Sequence, residues 1–126
     1  MNNGIGAAFI EHVAIIVTDL ERARDFYGRV LGLIEVARPE SFDFPGTWYQ
    51  IGTTCLHLLG KPTRDTECSR HFCIRVPDLR SAEAHLKLMS WPFQWQAKHK
   101  IIGIDRFFLH DPDGNRIEVQ GPELPS

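Results

Sequence analysis

The chain says the same thing twice, and that repeat most limits what it can fold into. His12-Val-Ala-Ile-Ile-Val-Thr-Asp-Leu20 returns as His71-Phe-Cys-Ile-Arg-Val-Pro-Asp-Leu79, 59 positions on in a chain of 126. A histidine opens each apolar run and an Asp-Leu pair closes it. Each half also ends alike, with a potential metal ligand inside an apolar stretch: His57 in Cys55-Leu-His-Leu-Leu59 and Glu118 in Arg116-Ile-Glu-Val119. The first ligand lies 45 residues before the last in one half and 47 in the other. Two half-domains built this way offer one shared metal site at their junction.

Local patterning predicts the same element order in both halves. Phe9 to Val17 is rich in β-branched residues and reads as a buried strand. Asp19 is a helix N-cap, followed by Leu20, Ala23, Phe26, Tyr27, Val30 and Leu31 at helical spacing. Gly32 is placed to stop that helix in a left-handed conformation. Leu33 to Arg38 reads as a strand, Pro39 to Gly46 as a loop, and Thr47–Ile51 with Thr54–Leu59 as a hairpin around Gly52. Gly60 to Arg70 is a polar connector inside one fold, because neither half of ~60 residues buries much core alone. The second half then supplies a strand over His71–Val76, an Asp78-capped helix, and strands over Trp91–Ala97, Ile101–Leu109 and Arg116–Gln120. The turn Asp111-Pro-Asp-Gly-Asn115 separates the last two, and an irregular tail follows from Gly121. One domain over residues 1–126 results, with modules at about 9–60 and 70–120.

Composition removes several function classes. Net charge is −2, with 14 basic and 16 acidic residues, so a nucleic-acid or anionic-membrane surface lacks its basic patch. No apolar run approaches a membrane span, and the N-terminus has no charged leader region. Three cysteines at no metal-knot spacing argue for a reducing cytoplasm rather than a disulfide framework.

Side chains alternate along a strand, which predicts who shares a face. His12 goes with Ala14, Cys55 with His57, His71 with Cys73 and Arg75, and Arg116 with Glu118 and Gln120. The opposite face is aliphatic or aromatic in every strand and must take the helices. The polar face therefore collects three imidazoles and one carboxylate, a donor set for a borderline divalent ion such as Zn, Ni, Co, Mn or Fe(II). Positions left open on that ion would take water or a small substrate. His85, His99 and His110 have no counterpart in the repeat and read as ordinary surface or core histidines. Trp48, Tyr49, Phe107 and Phe108 read as packing residues, and Cys73 as a small filler. Arg75 and Arg116 are either substrate anchors or edge charges.

From about Ile10 to Gln120 the chain resembles the vicinal oxygen chelate superfamily: glyoxalase I, bleomycin-resistance proteins, fosfomycin-resistance proteins and extradiol dioxygenases. Glu11-His-Val-Ala-Ile-Ile-Val-Thr-Asp-Leu20, Phe26-Tyr-Gly-Arg-Val-Leu-Gly32 and Phe107-Phe-Leu-His-Asp-Pro-Asp-Gly-Asn-Arg-Ile-Glu118 carry the likeness. It implies an α+β fold of two tandem βαβββ modules, their mixed sheets forming an incompletely closed barrel around a metal cleft. It also implies a homodimer, since a second subunit completes the cleft in many small members. The family's ligand positions match His12, His57, His71 and Glu118. Glyoxalase I has glutamate where this chain has His57, and methylmalonyl-CoA epimerases have glutamine. Fosfomycin-resistance enzymes use three protein ligands and bleomycin-resistance proteins none. The resemblance thus implies a metal-dependent, glyoxalase-I-like lyase or isomerase that chelates vicinal oxygens of a small substrate and stabilises an enediolate. Glu118 would move the proton, Arg75 and Arg116 would neutralise a substrate carboxylate, and glutathione stays open as a co-substrate. The alternatives are a drug- or metabolite-sequestering protein of the bleomycin-resistance type, an extradiol dioxygenase, and a thiol transferase of the fosfomycin-resistance type.

Overall fold

The structure, a computed structural model, describes residues 4–126; of the expected lead-in, residues 1–3 lie outside the described residues. Strand β1 (His12–Val17) leads through Asp19 into helix α1 (Leu20–Arg24). The Asp19 carboxylate accepts from the Arg22 N–H at 3.1 Å, the cap that its position predicts. Over Asp25–Val30 the helix widens into π-helical turns, with Leu31 N–H bonding to Phe26 O at 2.8 Å. Along this widened stretch Phe26, Tyr27 and Val30 all point into the core, and each is at most 1% exposed. Gly32 then turns the chain with φ at 73°, a value that suits a residue without Cβ.

Strands β2 (Ile34–Val36), β3 (Gly46–Ile51) and β4 (Thr54–Gly60) complete the first half. The second half repeats the order with β5 (His71–Arg75), α2 (Leu79–Leu88), β6 (Gln94–Trp95), β7 (Ile104–His110) and β8 (Arg116–Pro122). Asp78 caps α2, accepting from the Arg80 and Ser81 N–H groups at 3.0 and 3.2 Å. Each half forms a four-stranded mixed sheet, ordered β1-β4-β3-β2 and β5-β8-β7-β6, and neither closes into a barrel. The opening strand of each sheet runs parallel to its closing strand, and the other neighbours are antiparallel. This is the α+β architecture of two βαβββ modules.

Several boundaries differ from the pattern reading. β1 begins at His12 and not at Phe9, which is exposed together with Ile10, and β2 is confined to Ile34–Val36. β6 is only two residues long, because Pro92 cannot donate to a ladder near its start. Ile101 does not begin β7; it closes a tight turn by bridging to Ile104, with Gly103 at φ 79°. Gly121 and Pro122 continue β8 instead of starting a tail, since they pair with Asp105 and Ile104. Gly121 suits that place by its lack of a side chain. A Cβ there would lie 2.8 Å from Leu79 Cγ and 2.9 Å from the Val76 carbonyl.

One hydrophobic cluster draws on both halves, with Phe26, Tyr27, Leu56 and Leu58 from the first and Leu79, Phe107, Leu109 and Ile117 from the second. Burying each such side chain stabilises the fold by roughly 1.5–3 kcal/mol, so neither half is self-sufficient. A polar clasp fixes their relative placement. The Tyr27 hydroxyl donates to buried Asp111 at 2.7 Å, and Thr18 donates to Asp113 through its N–H (3.1 Å) and hydroxyl (2.6 Å). Asn115 adds a bond to the Ile16 carbonyl at 2.8 Å. The Asp111–Asn115 turn thereby holds β8, and with it Glu118, against the first half.

Candidate metal centre

The two parallel strand pairs place their ligand candidates in the same register. Cα of His12 is opposite Cys55, and His57 lies two residues further along β4. Cα of His71 is opposite Arg116, and Glu118 lies two residues further along β8. An offset of two keeps both members of each pair on one face. That face is the one turned away from the helices: Leu56, Leu58, Ile117 and Val119 on the opposite side are at most 5% exposed.

In the first pair the imidazoles of His12 and His57 stack, with centroids 4.2 Å apart and planes 13° from parallel. Trp48 continues the stack on the other face of His57, at 4.0 Å and 4°. The His57 ring is thus sandwiched, which leaves its edge nitrogens as the reactive part. Burial depresses the His57 pKa, and the His12 and Arg38 charges depress it further against the opposing pull of Glu11, favouring the neutral imidazole that ligates metals. His12 Nδ1 lies 2.7 Å from Glu11 Oε1, in a pair open to solvent.

In the second pair His71 Nε2 stands 2.9 Å from Glu118 Oε1, and His71 Nδ1 stands 2.8 Å from the Ser69 carbonyl. Both ring nitrogens face oxygens, which holds the ring plane. Glu118 is 4% exposed, and its other oxygen accepts from Arg106 at 3.3 Å. Cys73, the Cα partner of Glu118, has its thiol pushed up to about 11 by burial and by that carboxylate. It is a bystander thiol rather than a thiolate ligand.

The four donors therefore come together as two pairs, one per sheet. Among the described residues no group of three or more His, Cys, Asp or Glu is placed to hold a metal ion. Three imidazoles and a carboxylate suit a divalent ion chemically, but a single chain does not converge them, and the shared site expected at the junction of the two halves is not formed within one chain. Of the two candidate anchors, Arg75 donates to Gln120 Oε1 at 2.7 Å. Arg116 donates to the Ser69 carbonyl at 3.3 Å and lies 3.8 Å over the Phe108 ring. His85 bonds to the Val30 carbonyl at 2.8 Å, the ordinary role its pattern predicts.

One aromatic residue needs correcting. Tyr49, Phe107 and Phe108 are buried packing residues, but Trp48 stacks on the site face, the side to which Phe108 also belongs. The reason is register: Trp48 is the direct Cα partner of His57, and Phe108 that of Glu118. Each sheet thus sets an aromatic ring beside its last ligand candidate. Arg106 went unnoticed in the sequence, although alternation from Phe108 along β7 carries the signal.

Comparison with known proteins agrees with this fold. A model of the Glyoxalase/Bleomycin resistance protein/Dioxygenase superfamily matches residues 9–119. A protein named glyoxylase I 4 from Arabidopsis thaliana is 28% identical, over 93% of this chain and 72% of its own length. A glyoxalase family structure from Bacillus anthracis superposes with a TM-score of 0.86 at 26% identity, covering 98% of this chain and all 100% of its own. Lactoylglutathione lyase from Agrobacterium tumefaciens shares the fold, with a TM-score of 0.73 at 21% identity and coverage of 91% and 94%.

Proposed function

We propose a function from one premise: this chain belongs to the glyoxalase/bleomycin resistance protein/dioxygenase superfamily. It acts as a metal-dependent, glyoxalase-I-like enzyme, a lyase or isomerase on a small substrate with two neighbouring oxygens. Two copies of the chain build each site, one giving His12 and His57 and the other His71 and Glu118. The observation that carries this reading is the division of the donors into two pairs of identical register, each incomplete alone. A bound divalent ion would supply Lewis-acid polarisation of the two substrate oxygens.

The remaining work falls to side chains. Glu118 is the one carboxylate in the donor set, so its Oε1 takes a proton from the substrate carbon and returns it to the neighbouring one. Arg106 balances that carboxylate from the Oε2 side. Arg75 and Arg116 bond only neutral partners and make no ion pair with a carboxylate among the described residues, so both charges remain to meet an anionic substrate group. The relative from Arabidopsis supports the glyoxalase reading by name. Three free cysteines, at positions 55, 68 and 73, support a cytoplasmic setting. None of the helices among the described residues is long and apolar enough to cross a membrane.

The test is metal complementation. His12→Ala and Glu118→Gln chains should each purify with little metal. Reassorted in equal amounts, they should regain about one quarter of the wild-type content, because half of randomly paired two-fold dimers are mixed and each mixed dimer holds one intact site of two. A mixture that stays as metal-poor as its parents would refute sharing between copies.

A further inference from the structure

The site face of the first sheet opens onto a cleft of about 530 Å³. Its floor is the His12–His57–Trp48 ring stack, and Phe42 from the β2–β3 loop stands edge-on to Trp48 at 5.5 Å and 83°. Val36, Ala37 and Cys55 add apolar wall. Glu11 and Gln50 bring the only charged or amide side chains, and no lysine or arginine among the described residues lines the cleft. Arg38 stands nearby, but its guanidinium bonds the Phe44 carbonyl and lies 5.0 and 4.7 Å over the Phe42 and Phe44 rings.

Such a surface selects by shape and charge. Aromatic rings prefer to receive another flat ring, offset or edge-on. Glu11 is the cleft's one carboxylate and no lysine or arginine among the described residues offsets it, so the part of a substrate seated here is uncharged. Arg75 and Arg116 of the other copy would meet the substrate's carboxylate from across the site. Glutathione, with two carboxylates and no ring, does not fit such a cleft. We propose that this cleft receives a flat, uncharged aromatic group of the substrate, so that the vicinal oxygens beside His12 and His57 belong to an aryl compound and not to a glutathione conjugate. This assignment rests on the site of the proposed function and names the class of molecule it takes.

Mandelate and lactate test it, since both are 2-hydroxy acids and differ only in phenyl against methyl. Binding is followed by tryptophan fluorescence, once with zinc and once in EDTA. The wild type should bind mandelate at least about tenfold more tightly than lactate, the effect of burying one aryl ring. Phe42→Ala, which touches no ligand candidate, should reduce that preference to about twofold while zinc content stays unchanged. Glutathione should not displace mandelate. Equal affinity for the two acids in both conditions, or displacement of mandelate by glutathione, overturns the assignment. Failure of the shared metal site looks different: zinc is not taken up and alters neither affinity, while the aryl preference persists in EDTA.

Discussion

Replacing Tyr27 by Phe removes one hydroxyl and nothing else from the clasp between the halves. Tyr27 is fully buried, and its hydroxyl donates at 2.7 Å to Oδ2 of Asp111, itself 4% exposed. Burial and the Asp111 carboxylate push the Tyr27 pKa well above its ordinary value, so the phenol stays a donor at any working pH. Asp111 keeps the Asn115 side-chain amide on Oδ2 and the Asp113 and Asn115 N–H groups on Oδ1. The loss is thus one hydrogen bond to a charged acceptor, worth about 2 kcal/mol, with a void too small to add much. At this chain length that converts to roughly 8 °C in Tm. Urea denaturation at fixed protein concentration should move Cm down with an unchanged m-value, and metal content per folded chain should hold. A shift under about 0.5 kcal/mol would refute the argument, leaving the polar part of the clasp to the Thr18–Asp113 and Asn115–Ile16 bonds.

Two further outcomes follow from the same geometry. The His57 pKa is depressed in the folded state, so the unfolded chain binds more protons below the ordinary histidine value and stability falls as pH drops through that range. His57→Phe keeps a flat ring in the stack without the proton, and its stability should fall less than the wild type's between pH 7 and pH 5; parallel denaturation series would compare the two. Gly121→Ala drives a Cβ against Leu79 and the Val76 carbonyl, and the backbone atom cannot turn aside. Calorimetry should register a loss of about 1–3 kcal/mol, and a neutral result would mean that β8 shifts freely.

The repeat and the strand alternation made much of the site legible. His12, His57, His71 and Glu118 were picked out because a period of two puts each on the polar side of its strand, and the structure keeps them there. Asp19 and Asp78 were readable as caps for the same local reason. Trp48 and Phe108 were not, because their place beside the ligand candidates depends on cross-strand register. That register becomes visible only once Trp48 is paired with His57 and Phe108 with Glu118. The π-helical turns of Asp25–Val30 also escaped, since an α-helical spacing and a slightly wider one bury nearly the same residues.

By itself the sequence determined the two equivalent halves, the order of elements within each, and the side chains facing away from the helices. These follow from interactions between near neighbours, where capping and alternation act. Only the tertiary structure decided how the halves sit against each other, and so that the four donors stand as two pairs. That placement rests on contacts 84 to 99 residues apart, such as Tyr27 with Asp111 and Asn115 with Ile16. No local pattern records which buried carboxylate a tyrosine will reach across a whole half of the chain.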